Sequence, residues 1–284
     1  MKKSLIALAL VGAFAVPAFA EEAAPASEHT VTGNLTLASS YRFRGIDQTF
    51  GKPAIQGGID YSHSSGVYLG NWNSNVSSGA GFPGGNIEMD FYGGWKGAFG
   101  DFGVDVGALY YYYPGSSATA FLSGTNFRDT TANVSGNVDN LELYVAGSWK
   151  FLTLKYSYAV KEYFKLPKSE GTSYLELNGA YDLGEGWGVN GHVGHLFAKD
   201  YEYNGTTGNR KIDYTDWKLG VTKDISGWVV GLAYVGTNAK GNCTTAEFYC
   251  FADSVSKNAA VPDASSPFKN AGRSTAVLSV TKTF

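Results

Sequence analysis

In the stretch TVTGNLTLASSYRFRG, Val31, Leu35, Leu37, Tyr41 and Phe43 are apolar, and Thr32, Asn34, Thr36, Ser40, Arg42 and Arg44 between them are polar. Successive side chains of an extended chain point to opposite sides, so this pattern describes a strand with one apolar and one polar face. The same alternation returns in NIEMDFYGGWK, where Ile87, Met89, Phe91 and Trp95 oppose Glu88, Asp90 and Lys96. In DNLELYVAGSWKF, Leu141, Leu143, Val145, Trp149 and Phe151 oppose Glu142, Ser148 and Lys150. DYTDWKLGVTKD sets Trp217, Leu219 and Val221 against Asp216, Lys218 and Thr222. Twelve such segments fall at about 31–44, 53–62, 66–75, 86–96, 102–113, 139–150, 152–162, 172–182, 187–198, 213–223, 228–238 and 274–284, with ten and fourteen as the alternative counts.

Most of these segments have the length of about 9–11 residues that a tilted strand needs to cross a bilayer, whereas strands of water-soluble domains cluster near 5–6. Their connections alternate in length. GIDQTFGK is followed by SHS, NVSSGAGFPGG by GAFGD, and AKDYEYNGTTGNRKI by DISG, while 114–138 and 239–273 are the longest. Long external loops alternating with short periplasmic turns are the mark of an up-and-down outer-membrane barrel, and a Greek-key sandwich has no reason for that rhythm. The expected fold is therefore all-β, a transmembrane antiparallel barrel over 31–284. Tyr41, Phe43, Trp95, Trp149, Phe151, Tyr181, Trp187, Trp228 and Tyr234 are placed to form aromatic girdles at its two lipid interfaces.

Composition agrees. Aromatic residues make up 15% and charged residues only 17% of the chain, yet after the N-terminal segment no run approaches the 18 apolar residues of a membrane helix. MKKSLIALALVGAFAVPAFA joins two lysines, a short apolar core and an Ala-Phe-Ala end, the features of a cleaved secretory signal over 1–20. Residues 21–30 then read as a flexible periplasmic segment. The net charge of −3 becomes more negative once Lys2 and Lys3 are removed, which argues against nucleic acid as a partner. At the other end, STAVLSVTKTF reads as a strand that closes the cylinder against the first, with Phe284 facing lipid and acting as an assembly signal for the barrel-assembly machinery. Lys282 departs from the apolar residue usual at that place in such signals, and its stem can lie along lipid while the ammonium reaches water.

Residues 39–76, SSYRFRGIDQTFGKPAIQGGIDYSHSSGVYLGNWNSNV, together with MDFYGGWKG, YYYYPG, NLELYVAGS, DYTDWKLGVTKDISG and SVTKTF, resemble the TorF porin family of proteobacteria. That resemblance covers the whole processed chain and implies a channel in the outer membrane of a Gram-negative bacterium. It supplies no solute.

If the apolar faces meet lipid, the opposite faces line a lumen. They carry Arg42, Arg44, Asp60, Glu88, Asp90, Asp105, Glu142, Lys150, Lys155, Glu176, Asp216 and Lys218. This mixed lining with an acidic excess points to weak selectivity for small polar solutes, leaning to cations. A plug of salt bridges in a narrow cylinder is the competing reading, since twelve strands lie between filled small barrels and open sixteen-stranded porins. Arg42 and Arg44 are expected to pair with lumenal carboxylates, because buried charges are seldom left alone. Cys243 and Cys250 share one external loop of an exported chain and read as a disulfide. Two thiols without a nearby histidine give too few ligands for zinc, so neither metal nor cofactor is expected. His192 and His195 face opposite ways along one strand and no G-x-S-x-G motif accompanies them, which leaves an outer-membrane lipid hydrolase as a minor alternative. A barrel serving as a stand for partner-binding loops is the other, and the chain's own oligomerisation stays open.

Overall fold

The computed structural model describes residues 27–123, 134–199, 202–203, 206–207, 212–256 and 266–284. The expected signal segment, 1–20, lies outside the described residues. Twelve strands form one closed antiparallel barrel. They are β1 (His29–Ala38), β2 (Ala54–His63), β3 (Val67–Asn75), β4 (Ile87–Phe99), β5 (Phe102–Tyr112), β6 (Asp139–Trp149), β7 (Leu152–Ala159), β8 (Ser173–Gly184), β9 (Trp187–Phe197), β10 (Tyr214–Ile225), β11 (Trp228–Thr237) and β12 (Thr275–Thr283). Each pairs with its neighbours in sequence, and β12 returns to pair with β1, so the expected count and up-and-down order are those of the molecule.

Alternation fixes which way the wall faces. Leu35, Ile59, Leu69, Leu143, Leu219 and Leu278 are exposed on the outside, Leu219 to 71%. Gln56, Ser74, Asp90, Glu142, Asp216 and Ser279 are buried on the inside. An apolar exterior around a polar interior inverts the arrangement of a water-soluble protein and suits a solvent of hydrocarbon. Trp95, Trp149, Phe151, Tyr181, Trp187 and Trp228 are exposed near the short-turn end, and Tyr158, Phe197, Trp217 and Tyr234 toward the long-loop end. Two rings of aromatic side chains thus bound the apolar band.

The turns at one end are tight. Between β10 and β11, Ser226 (φ 55°) and Gly227 (φ 79°) both adopt the left-handed conformation, the geometry of the two-residue turn whose twist matches antiparallel strands. Inside the wall, a Cβ on Gly70 would overlap the Tyr92 ring and one on Gly194 the Tyr174 hydroxyl. Glycine at these two places lets inward tyrosines lie flat across the neighbouring strand.

The closing seam pairs Asn34 with Thr283 through to Ala38 with Ser279. Gly33 and Phe284 extend it by exchanging backbone hydrogen bonds of 3.1 and 2.8 Å. The Thr36 and Thr281 hydroxyls hydrogen-bond at 2.8 Å on its inner side. Phe284 faces outward, 72% exposed, and the Lys282 ammonium lies 5.7 Å from the centre of the Trp228 ring.

One expectation is corrected. The first strand does not run to Arg44; it ends at Ala38, and the chain turns into the barrel mouth. There Tyr41 is completely buried and Phe43 packs against the buried core, so neither belongs to a lipid girdle. Arg44 (φ 47°) and Gly45 (φ 78°) reverse the chain between two short strands, Arg42–Phe43 and Ile46–Asp47. Ionised side chains at two successive polar positions find acceptors inside the mouth that the rim of the wall lacks.

The 239–273 connection covers this end. Its described parts hold the expected Cys243–Cys250 disulfide and a short ladder of Cys250–Ala252 with Phe268–Asn270. The inserted loop is tied to it by a hydrogen bond from Asp47 N–H to the Ala271 carbonyl at 3.0 Å.

Two outcomes follow. Deleting Phe284 removes both backbone bonds to Gly33 and is expected to lower the fraction of chain that migrates as a compact, heat-modifiable species on electrophoresis, while Phe284→Tyr keeps it. Replacing Cys243 and Cys250 with serine is expected to expose 239–256 to protease and leave the barrel's compact migration unchanged; loss of that migration would show that the covering loop supports the wall.

Candidate lumen site

The inner wall and the inserted loop meet in a layer of charges at the long-loop end. Arg44 crosses the mouth to Glu142 on β6. Its Nη1 donates to Glu142 Oε1 at 3.0 Å and its Nη2 to Oε2 at 2.7 Å. Two parallel hydrogen bonds between these ions hold orientation as well as charge. Arg44 also donates to the Tyr163 hydroxyl at 3.1 Å, and its guanidinium lies 4.1 Å from the centre of the Tyr174 ring. Glu142 accepts a further bond from Asn140 Nδ2 at 3.1 Å. The side chains of the ion pair are only 8% and 3% exposed.

Arg42 is held differently. Its Nη1 donates to the Ala271 and Arg273 carbonyls at 3.1 and 3.2 Å. Its Nη2 lies 3.4 Å from Asp47 Oδ2, within its own loop. Asp47 Oδ1 accepts from the Thr49 and Gly51 amides at 3.1 and 3.0 Å, so one carboxylate shapes the loop and neutralises the arginine. Beside this pair, Tyr41 donates to Glu88 Oε1 at 2.9 Å. Glu88 Oε2 and Asp90 Oδ1 are buried without a hydrogen-bond partner. Two inward carboxylates in succession on β4, both nearly inaccessible, make this the most acidic part of the lumen.

A second layer lies nearer the short-turn end. Tyr92 donates to Asp60 at 2.5 Å and Tyr68 to Asp105 at 2.6 Å. The Tyr68 and Tyr144 hydroxyls are hydrogen-bonded to each other, and the Lys155 ammonium sits 4.2 Å from the centre of the Tyr144 ring. On the facing wall, back at the long-loop end, Asp216 takes a hydrogen bond from Tyr174 at 2.7 Å and lies 2.9 Å from His192 Nε2. His192 Nδ1 lies 2.7 Å from Asn178 Oδ1. Asn178 in turn donates to Glu176 at 2.8 Å. Lys218 stands opposite His192 in the pairing of β9 with β10.

Exposure changes along the axis. Gln56, Glu88, Asp90, Tyr111 and Tyr174, near the loops, are buried. Asp60, Tyr92, Asp105 and Asn178, further down the same strands, are half-buried. On these strands the inward side chains become more exposed away from the inserted loop.

Ten of the twelve expected lining residues sit on inward positions of the wall or in the mouth: Arg42, Arg44, Asp60, Glu88, Asp105, Glu142, Glu176 and Asp216 as ion-pairing or hydrogen-bonding groups, Lys155 against the Tyr144 ring, and Lys218 opposite His192. Asp90 is inward as well, with one orphaned oxygen. Lys150 is not inward. It occupies the turn between β6 and β7 with φ 55°, exposed, and its ammonium lies 4.6 Å from the centre of the Trp149 ring. Alternation loses its meaning where a strand gives way to a turn, so parity puts this residue on the wrong side of the wall.

The residues that alternation could not single out are the neutral ones. Tyr68, Tyr92, Tyr144, Tyr163 and Tyr174 hold the charged groups in place. Tyr92, Tyr144 and Tyr174 do fall on the polar parity of their strands, the one signal that separates them from girdle tyrosines. His192 points inward, whereas His195 faces out beside Phe197, 2.8 Å from Thr215 Oγ1. Among the described residues the side-chain partners of His192 are Tyr174, Asn178, Asp216 and Glu176, none of them a serine or cysteine.

Comparison with known proteins gives the following. No curated protein matches the chain. A structure of the KdgM porin in complex with disordered oligogalacturonate is similar at a TM-score of 0.48 and 9% identity, over 89% of this chain and 98% of that one. The NanC porin gives 0.46 and 10% over 89% and 98%. A Pseudomonas aeruginosa FadL homologue gives 0.41 and 11% over 90% of each. Over residues 22–284 the chain matches a family model, and it belongs to that family, described as bacterial protein of unknown function (Gcw_chp).

Proposed function

We propose that the protein is an outer-membrane channel for small hydrophilic solutes or ions, held closed at its long-loop end by segment 39–53. The observation that carries this reading is the inner wall. It carries paired and hydrogen-bonded charged groups beside buried apolar positions such as Trp72, Leu109 and Val277, and on β2, β4, β5 and β8 the polar side chains become more exposed below the Arg44–Glu142 layer. A barrel needed only as a stand has no use for ionised groups in a half-exposed lumen, where an apolar filling would stabilise it more simply.

The remaining parts of the reading follow from the sequence. Segment 1–20 is a signal peptide removed on export, and the barrel is inserted by the assembly machinery into the outer membrane of a Gram-negative bacterium. The likeness to the TorF porins agrees with a channel role. Asp60, Glu88, Asp90, Asp105 and Glu142 occupy β2 and β4–β6, while Lys155 and Lys218 occupy β7 and β10. Acids thus outnumber bases on the inner wall, which favours cations.

A plugged barrel is the second reading, and the buried loop favours it. The two differ in what the ion pair is for. Removing one partner of a buried pair costs about 3–5 kcal/mol, because the other charge is left without compensation. In a channel that cost falls on the closed arrangement alone, and an equilibrium shifts by roughly a hundredfold or more.

Planar-bilayer recordings decide. Arg44→Ala and Glu142→Gln are expected to open more often, or to larger conductance, than the unaltered protein, with the reversal potential in a salt gradient displaced toward cation selectivity for Arg44→Ala and toward anion selectivity for Glu142→Gln. If deletion of 41–50 also leaves a folded barrel electrically silent, the protein is plugged and the channel reading is lost.

A further inference from the structure

Outside the lumen, three side chains that bind metals well meet at the short-turn rim. His29 opens β1 and His63 closes β2, and the register sets them directly opposite each other. Both lie on odd positions, the parity of the outward residues Val31, Ile55 and Ile59, so both project from the outer surface. Their ring centres are 5.1 Å apart. Glu28, one residue before the strand, adds a carboxylate whose Oε1 lies 3.2 Å from His63 Nε2. One ligand atom from each of the three falls within 4.8 Å of the others.

The surroundings hold this group in place. Ser64 N–H donates to the Glu28 carbonyl at 2.9 Å, which carries the β1–β2 ladder one step past the strand and fixes the Glu28 backbone. His29 Nδ1 lies 2.8 Å from the Tyr61 hydroxyl, and His63 Nδ1 lies 2.7 Å from Ser65 Oγ. Each ring therefore has an oxygen partner on Nδ1 and offers Nε2. Histidines that bind metals are oriented in this way, by a hydrogen bond on the nitrogen that does not coordinate.

We infer that Glu28, His29 and His63 form a binding site for a divalent transition ion, with zinc as the best match. Two imidazoles and one carboxylate are the donor set of many zinc sites, with the fourth position of the tetrahedron left to water. Softer or larger ions fit less well: there is no thiolate for a soft metal, and too few oxygens for calcium. Zinc–ligand bonds of about 2.0–2.2 Å require the three donors to draw together by about 1 Å. Glu28 Oε1 already lies 3.2 Å from His63 Nε2, so the remaining approach is that of His29, whose side chain is exposed. In the metal-free geometry the Ser65 amide donates to His63 Nδ1 at 3.1 Å, so that ring's proton sits on Nε2, toward Glu28. Coordination at Nε2 moves this proton to Nδ1, where it is donated to Ser65 Oγ; the Ser65 amide gives up its bond to Nδ1, and the imidazole stays neutral. The bound ion would clamp the first residues of β1 to the first hairpin, next to the strand that closes the barrel.

The test uses the processed full-length chain, folded in detergent micelles and carrying no polyhistidine tag. Titrating zinc chloride in a calorimeter is expected to give one saturable equivalent. Glu28→Gln should weaken binding about tenfold, His29→Gln with His63→Gln should abolish it, and His195→Gln on the same outer face should leave it unchanged. Heat-modifiable migration of each variant confirms that its barrel is folded. Cobalt in place of zinc should give the visible absorption of a four-coordinate ion in the unaltered protein and lose it in His63→Gln. The inference is overturned if the unaltered protein shows no saturable equivalent, or if folded chain lacking both histidines binds zinc as well as before.

Discussion

Closure governs this molecule. A backbone amide or carbonyl at bilayer depth has no water to bond, and each one left unpaired costs several kcal/mol. A sheet in that solvent can have no edge, so β12 must return to β1, and the Gly33–Phe284 bonds continue that ladder. The seam formed in this way pairs five residues of β1 with β12, against ten pairs of β1 with β2. The Thr36–Thr281 hydroxyl pair and the exchange between Gly33 and Phe284 strengthen the shorter joint.

Closing the sheet also creates an interior, and twelve strands make one too wide for wall side chains to fill alone. The chain fills its outer mouth with its own first loop. Buried ions are tolerated only when they are paired and hydrogen-bonded, and the loop brings both of its arginines with partners for each. Arg44 meets a carboxylate of the wall, whereas Arg42 meets one from within the loop and two carbonyls of the covering segment. The tyrosines around them supply hydroxyls without adding charge. The result is an inserted loop that meets the wall through the Arg44–Glu142 pair and the Tyr41–Glu88 hydrogen bond, next to oxygens of Glu88 and Asp90 that keep no hydrogen-bond partner. Aromatic packing adds to these polar contacts, with Tyr41 set edge-on to Trp72 and Phe43 to Tyr111.

The outer surface divides by depth. Its middle is aliphatic, its margins aromatic, and at the short-turn rim the same parity carries His29 and His63. A histidine pair would be out of place in hydrocarbon and is well placed where the wall emerges toward water.

Much of this was legible in the sequence because a period of two residues is a local property. The strands, their order, the inward carboxylates Asp60, Glu88, Asp90, Asp105, Glu142 and Asp216, and the outward rings from Trp95 to Trp228 all follow from parity alone, and the disulfide follows from two cysteines in one exported loop. Tertiary structure decided the rest. Parity could not say that the first strand stops at Ala38, because Tyr41 and Phe43 continue the alternation after the chain has left the wall. It could not choose Glu142 as the partner of Arg44, since seven inward acids were open to it and only the loop's path selects one. It misplaced Lys150, where a turn breaks the alternation on which the assignment relied. It gave no sign that His29 meets His63, because that contact depends on the register between strands, and residues 21–30 carry no pattern of their own. Local chemistry settles which side of the wall a residue faces; which residue it meets there depends on distances that exist only after the barrel has closed.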